Sequence, residues 1–270
     1  MWEKVQETAS FISSKTNFKP EYAVVLGSGL GGFADDISVE CSISYSDIPN
    51  FPVSTVQGHK GALLFGTIGD RKIMAMQGRF HYYEGYDMRQ VTFPIRVMKQ
   101  LGIEKLIVSN ASGGVNSSFK VGDVMIIKDH INMMPEHPLR GHNDERFGPR
   151  FVNMSEPYSK EMIDKVKQIA KELKIDVKEG VYLALQGPTF ETLAEYKMVK
   201  NMGADCVGMS TVPEVIVAKH MNMDCLGISV ITDMGNEGQI HEVNHEEVLE
   251  AAKKAEPHVR NLIKNFILDF

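Results

Sequence analysis

The sequence predicts an α/β fold, with a mixed, largely parallel sheet flanked by helices, formed as a single domain over residues 1–270. Three observations predict it. Short continuous apolar runs end abruptly in glycine or small polar residues, as buried strands do. Amphipathic segments with helical spacing lie between them. The two kinds of segment alternate along the whole chain without an internal repeat or low-complexity tract.

Glu3 to Ser14 reads as a short amphipathic helix, and Tyr22-Ala23-Val24-Val25-Leu26 as the first buried strand. A strand pair follows at Gly61–Thr67 and Lys72–Gln77, joined by the turn Gly69-Asp70. Val91 to Leu101 reads as a helix with Gly102 as its C-cap. Leu106–Asn110 is the next strand, ending in the small-residue turn Ala111-Ser112-Gly113-Gly114, and Val124–Ile127 follows. Met133 to Pro157 is polar and aperiodic, so it reads as a long functional loop.

Regular structure resumes with a helix from Lys160 to Leu173 and a strand from Gly180 to Leu185. Thr192 and Glu195 have capping-box spacing and open another helix. Cys206–Met209 is a short strand. Thr211 and Glu214 repeat the capping-box spacing, with Pro213 in the first turn, where proline is tolerated. Cys225–Ile231 is a strand. Asn244 opens the last helix, whose Val248, Ala252, Ala255, Val259, Leu262, Ile263 and Phe266 share one face.

Apolar residues at 43% and charged residues at 24% are ordinary for a globular protein. The net charge of −6 argues against a nucleic-acid binder, which would be basic overall. Cys41, Cys206 and Cys225 form no CxxC pair, which fits a reducing cytoplasm. The start of the chain lacks a signal-peptide pattern, and no apolar stretch approaches a membrane span. The expected location is cytoplasmic. The nine histidines contain no HExxH, and no ligand spacing points to a metal.

The chemistry gathers at strand ends, where ligands bind in open α/β sheets. Gly27-Ser28-Gly29-Leu30-Gly31-Gly32 matches the G-x-G-x-x-G pattern of NAD-dependent oxidoreductases. That reading needs an acidic residue about 20 positions further on, but Ser54-Thr55-Val56-Gln57-Gly58 holds none. The broader reading is an anion site, with the backbone approaching an oxyanion and Ser28 donating a hydroxyl; the simpler one is a tight turn. Arg79 follows a strand and offers a planar donor fork suited to phosphate, with His81 and Tyr83 continuing the alternation. The plainer explanation for an arginine and a histidine at a strand end is a surface ion pair, but the neighbouring aromatics and glycines point towards a site. Ser210 lies at a strand-to-helix junction, where a helix N-terminus favours an anion and a simple cap is equally expected. Phe190 could stack on a flat ring, and Glu191 could accept from ring N–H groups or only stabilise a helix dipole. Val230 to Asn236 ends a further strand in polar residues.

Taken together, these motifs closely resemble the trimeric purine nucleoside phosphorylases. The resemblance runs from Leu26–Gly31 through Gly58-His59, Gln77–His81, Ser109–Gly114, Pro138–Gly141 and Asn143–Gly148. It continues through Gly187–Thr192, Gly203–Asp205 and Gly208–Glu214 to Asn244–Glu247. It implies the nucleoside phosphorylase fold and reversible phosphorolysis of a purine nucleoside, such as inosine or guanosine, to purine and ribose 1-phosphate. Inorganic phosphate is then a co-substrate, and no cofactor is needed. The resemblance assigns phosphate to Ser28, His59, Arg79, His81, the backbone at Ala111, and Ser210. It assigns the ribose to Tyr83, Met209 and His245. The base falls to Phe190, Val207, Glu191 and the position of Asp233. His81, Glu191, Asp233 and His245 are the implied catalytic residues. Phe151 would reach a neighbouring subunit's site, which implies a homotrimer.

One position departs from the pattern. Members that act on 6-oxopurines usually carry asparagine where this chain has Asp233. The related methylthioadenosine phosphorylases carry aspartate there, but they usually have a second aspartate at the place of Gly235 and lack the acid at Glu191. Glu191 therefore argues for hypoxanthine and guanine, and Asp233 for tolerance of adenine. The competing classes are a 6-aminopurine phosphorylase, an NAD-dependent oxidoreductase, and a purine-binding sensor without turnover.

Overall fold

The computed structural model describes residues 1–56, 59–235 and 244–270. The motif positions Gln57, Gly58 and Asn236 lie outside the described residues. Helix α1 (Trp2–Lys15) leads into β1 (Tyr22–Leu26), whose five residues are all buried. After a 3₁₀ turn come β2 (Ser38–Ser44), β3 (Ala62–Ile68) and β4 (Arg71–Gln77). Two helices follow, α2 (Met88–Val91) and α3 (Phe93–Gln100), then β5 (Lys105–Gly114) and β6 (Val124–Asn132). The second half holds α4 (Lys160–Glu172), β7 (Val177–Ala184), α5 (Leu193–Asn201), β8 (Cys206–Gly208), α6 (Val212–His220), β9 (Asp224–Met234) and α7 (His245–Asp269).

The strands form one mixed sheet in the order β2-β3-β4-β1-β5-β8-β7-β6-β9. A further β5–β9 pairing closes its second half into a ring. Strands β4, β1, β5 and β9 run mutually parallel, so their carboxyl ends share one edge. That edge is where ligands are expected in such sheets. Helices α1, α3 and α6 pack together in one layer, and α4 packs on α7 in another. All seven apolar positions on the predicted face of α7 are buried. Burying a large aliphatic or aromatic side chain contributes about 1.5–3 kcal/mol, so this stripe anchors the C-terminal helix to the sheet.

No crossover helix follows the glycine turn, in keeping with the weak dinucleotide reading: a 3₁₀ turn at Gly31–Asp36 leads into the antiparallel edge strand β2. Three local readings change. The segment Ala111–Gly114 is not a turn: β5 continues through it, paired with β9 and, at its end, with β8. The predicted helix over Val91–Leu101 is broken at Thr92, whose hydroxyl bonds back to Met88 O, and Pro94 opens α3. Finally, Thr211 and Glu214 form no full capping box, because the Thr211 hydroxyl is used elsewhere.

Gly27 and Gly29 are required by packing. A Cβ at Gly27 would lie 2.6 Å from Ser109 O in β5. Gly29, at φ 75°, would place its Cβ 2.5 Å from that of Ala252 in α7. The glycine pattern therefore lets the β1 turn nest against β5 and α7 while leaving Ser28 at the edge of the sheet.

Candidate active site

A cavity of about 460 Å³ opens at the shared carboxyl edge. It collects Ser28 from β1, Arg79, His81 and Tyr83 from beyond β4, Ala111 from β5 and Asp233 from β9. From the ring half come Phe190 and Glu191 after β7, and Val207, Met209 and Ser210 at β8. His245, the first residue of α7, completes the set. Twelve of the fourteen residues assigned from the sequence thus line one cavity. His59 is not in its wall but stacks on His81, with ring centroids 5.6 Å apart. Phe151 stands 88% exposed on the long loop, away from this chain's own cavity.

Arg79 anchors one end. It is 1% exposed, so its charge must be compensated locally. Its Nε and Nη2 donate to the two Glu214 oxygens at 3.3 and 3.0 Å, a bidentate fork. Nη1 donates to Ser109 O at 2.7 Å and to Ser210 Oγ at 3.2 Å. The ion pair is therefore buried, which removes the surface-pair alternative and agrees with the reading of Arg79 as part of a site. Glu214 reaches Arg79 because the chain reverses sharply before α6. Thr211 has φ 69° and ψ −55°, and Val212 N donates to Ser210 O at 2.7 Å, forming a γ-turn around a left-handed threonine. Thr211 Oγ1 accepts from Asn110 Nδ2 at 2.8 Å instead of capping the helix.

His81 is held by Glu84, which the sequence reading missed. His81 N donates to Glu84 Oε1 at 2.7 Å, and Nδ1 lies 3.0 Å from the same oxygen. Thr55 donates to Oε2 through its N–H and its hydroxyl, at 2.8 and 2.6 Å. Burial alone would raise the Glu84 carboxyl, but hydrogen bonds from His81 and Thr55 bring it down to about 2. Burial pushes His81 below its ordinary value, against the pull of Glu84. His59 falls to about 4 through burial and the nearby His81 and Arg79. It is therefore neutral at pH 7. The expected extended run stops at His81: Tyr82–Glu84 is a 3₁₀ turn, which stacks Tyr83 on His81 at 4.6 Å.

The opposite end is acidic. Asp233 accepts from Thr232 Oγ1 at 3.0 Å and from Tyr196 Oη at 3.1 Å. Burial raises the Asp233 carboxyl, with these donors opposing. Burial also raises Glu191, and the charge of Asp233 adds to the effect. Gly235 lies against the Tyr196 ring, which leaves no space for a side chain there. Glu84, Glu214 and Tyr196 carried no sequence signal beyond a local one, since each acts through a partner remote in sequence or in a loop. Among the described residues, no three His, Cys, Asp or Glu side chains gather in a metal-binding arrangement, and no helix is long and apolar enough to cross a membrane.

This fold is that of a known class. The chain belongs to the phosphorylase superfamily, whose family model matches residues 21–268. More particularly, it is 51% identical to purine nucleoside phosphorylase 1 of Geobacillus stearothermophilus, over 97% of this chain and 98% of that one. It is 48% identical to the purine nucleoside phosphorylase of Bos taurus, over 94% and 90% of the two chains. The crystal structure of Schistosoma mansoni purine nucleoside phosphorylase in complex with adenosine matches with a TM-score of 0.94 at 42% identity, covering 99% of this chain and 97% of that chain. A schistosome purine nucleoside phosphorylase in complex with hypoxanthine matches with the same TM-score at 41% identity.

Removing the Glu214 charge should expose the cost of burying Arg79. Glu214→Gln is expected to destabilise the protein by about 3–5 kcal/mol, the usual cost of breaking a buried pair. Thermal melts should also show added phosphate restoring more stability to the variant than to the parent, because phosphate would supply the missing negative charge.

Proposed function

We propose that the protein catalyses reversible phosphorolysis of purine nucleosides to free purine and ribose 1-phosphate. The observation that carries this reading is one cavity with phosphate donors at one end and an aromatic-plus-carboxylate base site at the other. Ser28, Arg79, His81, the Ala111 backbone and Ser210 would hold phosphate, with His59 behind His81. Tyr83, Met209 and His245 would bracket the ribose. Phe190, Val207, Glu191 and Asp233 would hold the base.

The residue types suit the chemistry. Phosphate attacks C1′ of the ribose as the bond to the purine breaks, so the protein supplies no nucleophile of its own. The sugar passes through a cationic, oxocarbenium-like state, and the bound phosphate stabilises that charge. Arg79 and the hydroxyls aim the phosphate, and fixing both reactants in line removes much of the entropic barrier. His81, whose positive charge burial disfavours, can share a hydrogen bond with phosphate, and the neutral His59 stacked behind it adds no cationic charge beside the ribosyl centre.

Asp233 supports a broader choice of base than 6-oxopurines alone. Its oxygens accept from a 6-amino group when charged and can donate to a 6-oxopurine when protonated. Phe151 supports the homotrimer: an aromatic side chain 88% exposed on a loop of this length fits insertion into a second copy of the chain.

Cleavage of inosine should require inorganic phosphate and yield ribose 1-phosphate. Product formation without phosphate would instead mark a hydrolase, and dependence on a nicotinamide cofactor an oxidoreductase. Ser28→Ala should raise KM for phosphate about tenfold, the loss expected for one hydrogen bond to a charged group, while leaving purine binding nearly unchanged. Asp233→Asn should shift the kcat/KM ratio towards inosine and away from adenosine, because an amide donates to O6 at any pH. Light scattering should report three chains per particle, and Phe151→Ala should raise KM for inosine without altering kcat/KM for phosphate.

A further inference from the structure

Tyr196 is a core aromatic by every local sign. It is 3% exposed and belongs to a small apolar cluster with Val199 and Val207, the latter in the cavity wall. Yet its hydroxyl meets the acidic end of the cavity, donating to Asp233 Oδ2 at 3.1 Å. The same hydroxyl interacts with the Glu191 carboxylate. Two glycines make this possible. Gly235 leaves space for the ring, and a Cβ at Gly113 would lie 2.8 Å from Asp233 Oδ2.

We propose that Glu191 and Asp233 hold a single proton between them, and that Tyr196 stabilises whichever carboxylate is charged, so that one pocket accepts both 6-oxopurine and 6-aminopurine nucleosides. The inference rests on the phosphorolysis reading. A 6-oxopurine presents an N1–H donor and an O6 acceptor. A 6-aminopurine presents the reverse, an N1 acceptor and an amino donor. A carboxyl pair with one proton offers one acceptor and one donor, and it inverts when the proton changes sides. With the proton on Asp233, Glu191 accepts N1–H and Asp233 donates to O6. With the proton on Glu191, Glu191 donates to N1 and Asp233 accepts from the 6-amino group. Neither base changes the total charge of the site.

The surroundings favour one shared proton over none. Burial disfavours ionising either carboxyl, and the charge of Asp233 disfavours ionising Glu191 further. Asp233 faces Tyr196 from α5, Glu191 from the connection before α5, and Cys206 from β8. None of these is a cation. Tyr196 has one proton to donate, and at 3.1 Å it donates it to Asp233, which Thr232 also supports at 3.0 Å. The resting arrangement therefore has Asp233 charged, which suits the 6-amino case. Losing the Tyr196 hydroxyl should fall harder on that substrate.

The test compares Tyr196→Phe with the parent enzyme on inosine and adenosine across pH. In the parent, the kcat/KM profiles for both substrates should share an alkaline limb, since each needs the same single proton. In Tyr196→Phe, kcat/KM for adenosine should fall about tenfold further than for inosine, the range for a hydrogen bond to a charged group. The shared limb should also move to higher pH, because the pair then holds its proton more tightly. In an Asp233→Asn background, Tyr196→Phe should no longer discriminate between the two substrates. Equal losses on both substrates with an unmoved limb would reduce Tyr196 to packing and overturn the proposal. Separate limbs in the parent, or inosine cleavage with none of adenosine, would overturn it without any variant. Absence of phosphate-dependent cleavage of both nucleosides would instead overturn the phosphorolysis reading beneath it.

Discussion

The active cavity depends on the buried ion pair between Arg79 and Glu214. An arginine 1% exposed at a sheet edge is tolerable only with a fully formed partner set, and here that set spans three elements. Glu214 ties β4 to α6, Ser109 O ties it to β5, and Ser210 hangs from the same guanidinium. The strained γ-turn at Thr211 is the local cost of bringing Glu214 inward. Once the pair forms, Arg79, Ser210 and the β5 backbone have one arrangement relative to each other. The wall proposed to hold phosphate, built from three separate chain segments, is therefore tied together by one guanidinium.

The pair also sets the charge of that wall. Arg79 and Glu214 together are neutral, and His59 is uncharged at pH 7. A phosphate bound there would be gripped by directed hydrogen bonds more than by net positive charge. This suits an anion that must itself attack, since full neutralisation would weaken it as a nucleophile. It also leaves the developing cation on the ribose facing an anion that has kept its charge.

Much of this was legible in the sequence, because strand ends carry local signals. The run Tyr22–Leu26 is a strand to the residue, and the motifs after β1, β4, β7 and β8 all reach one cavity. What was hidden was partnership. Glu214 reads locally as a first-turn acid, yet its partner lies 135 residues away. Glu84 reads as a loop acid, and only the 3₁₀ turn brings it under His81. Strand β2 escaped notice because an edge strand with only Ile43 buried has no apolar alternation to display. Tyr196 was hidden most fully, since a buried tyrosine on a helix is expected to be packing.

The base end poses the opposite electrostatic problem. As the glycosidic bond breaks, its electrons move into the purine, which gains negative charge. A wall of two ionised carboxylates would resist that movement in a low-dielectric cavity. A wall that keeps one proton offers a donor to the departing base and an acceptor to hold it in register. The geometry around Asp233 favours that state: two neutral hydroxyls support its charge, and burial with Glu191 nearby opposes a second one. The two ends of the cavity then differ in kind. At the Arg79 end a fixed cation is cancelled by a fixed anion, and a bound phosphate would bring its own charge. At the base end the protein's charge is held to one by a proton that can change sides, and the identity of the base decides where it rests.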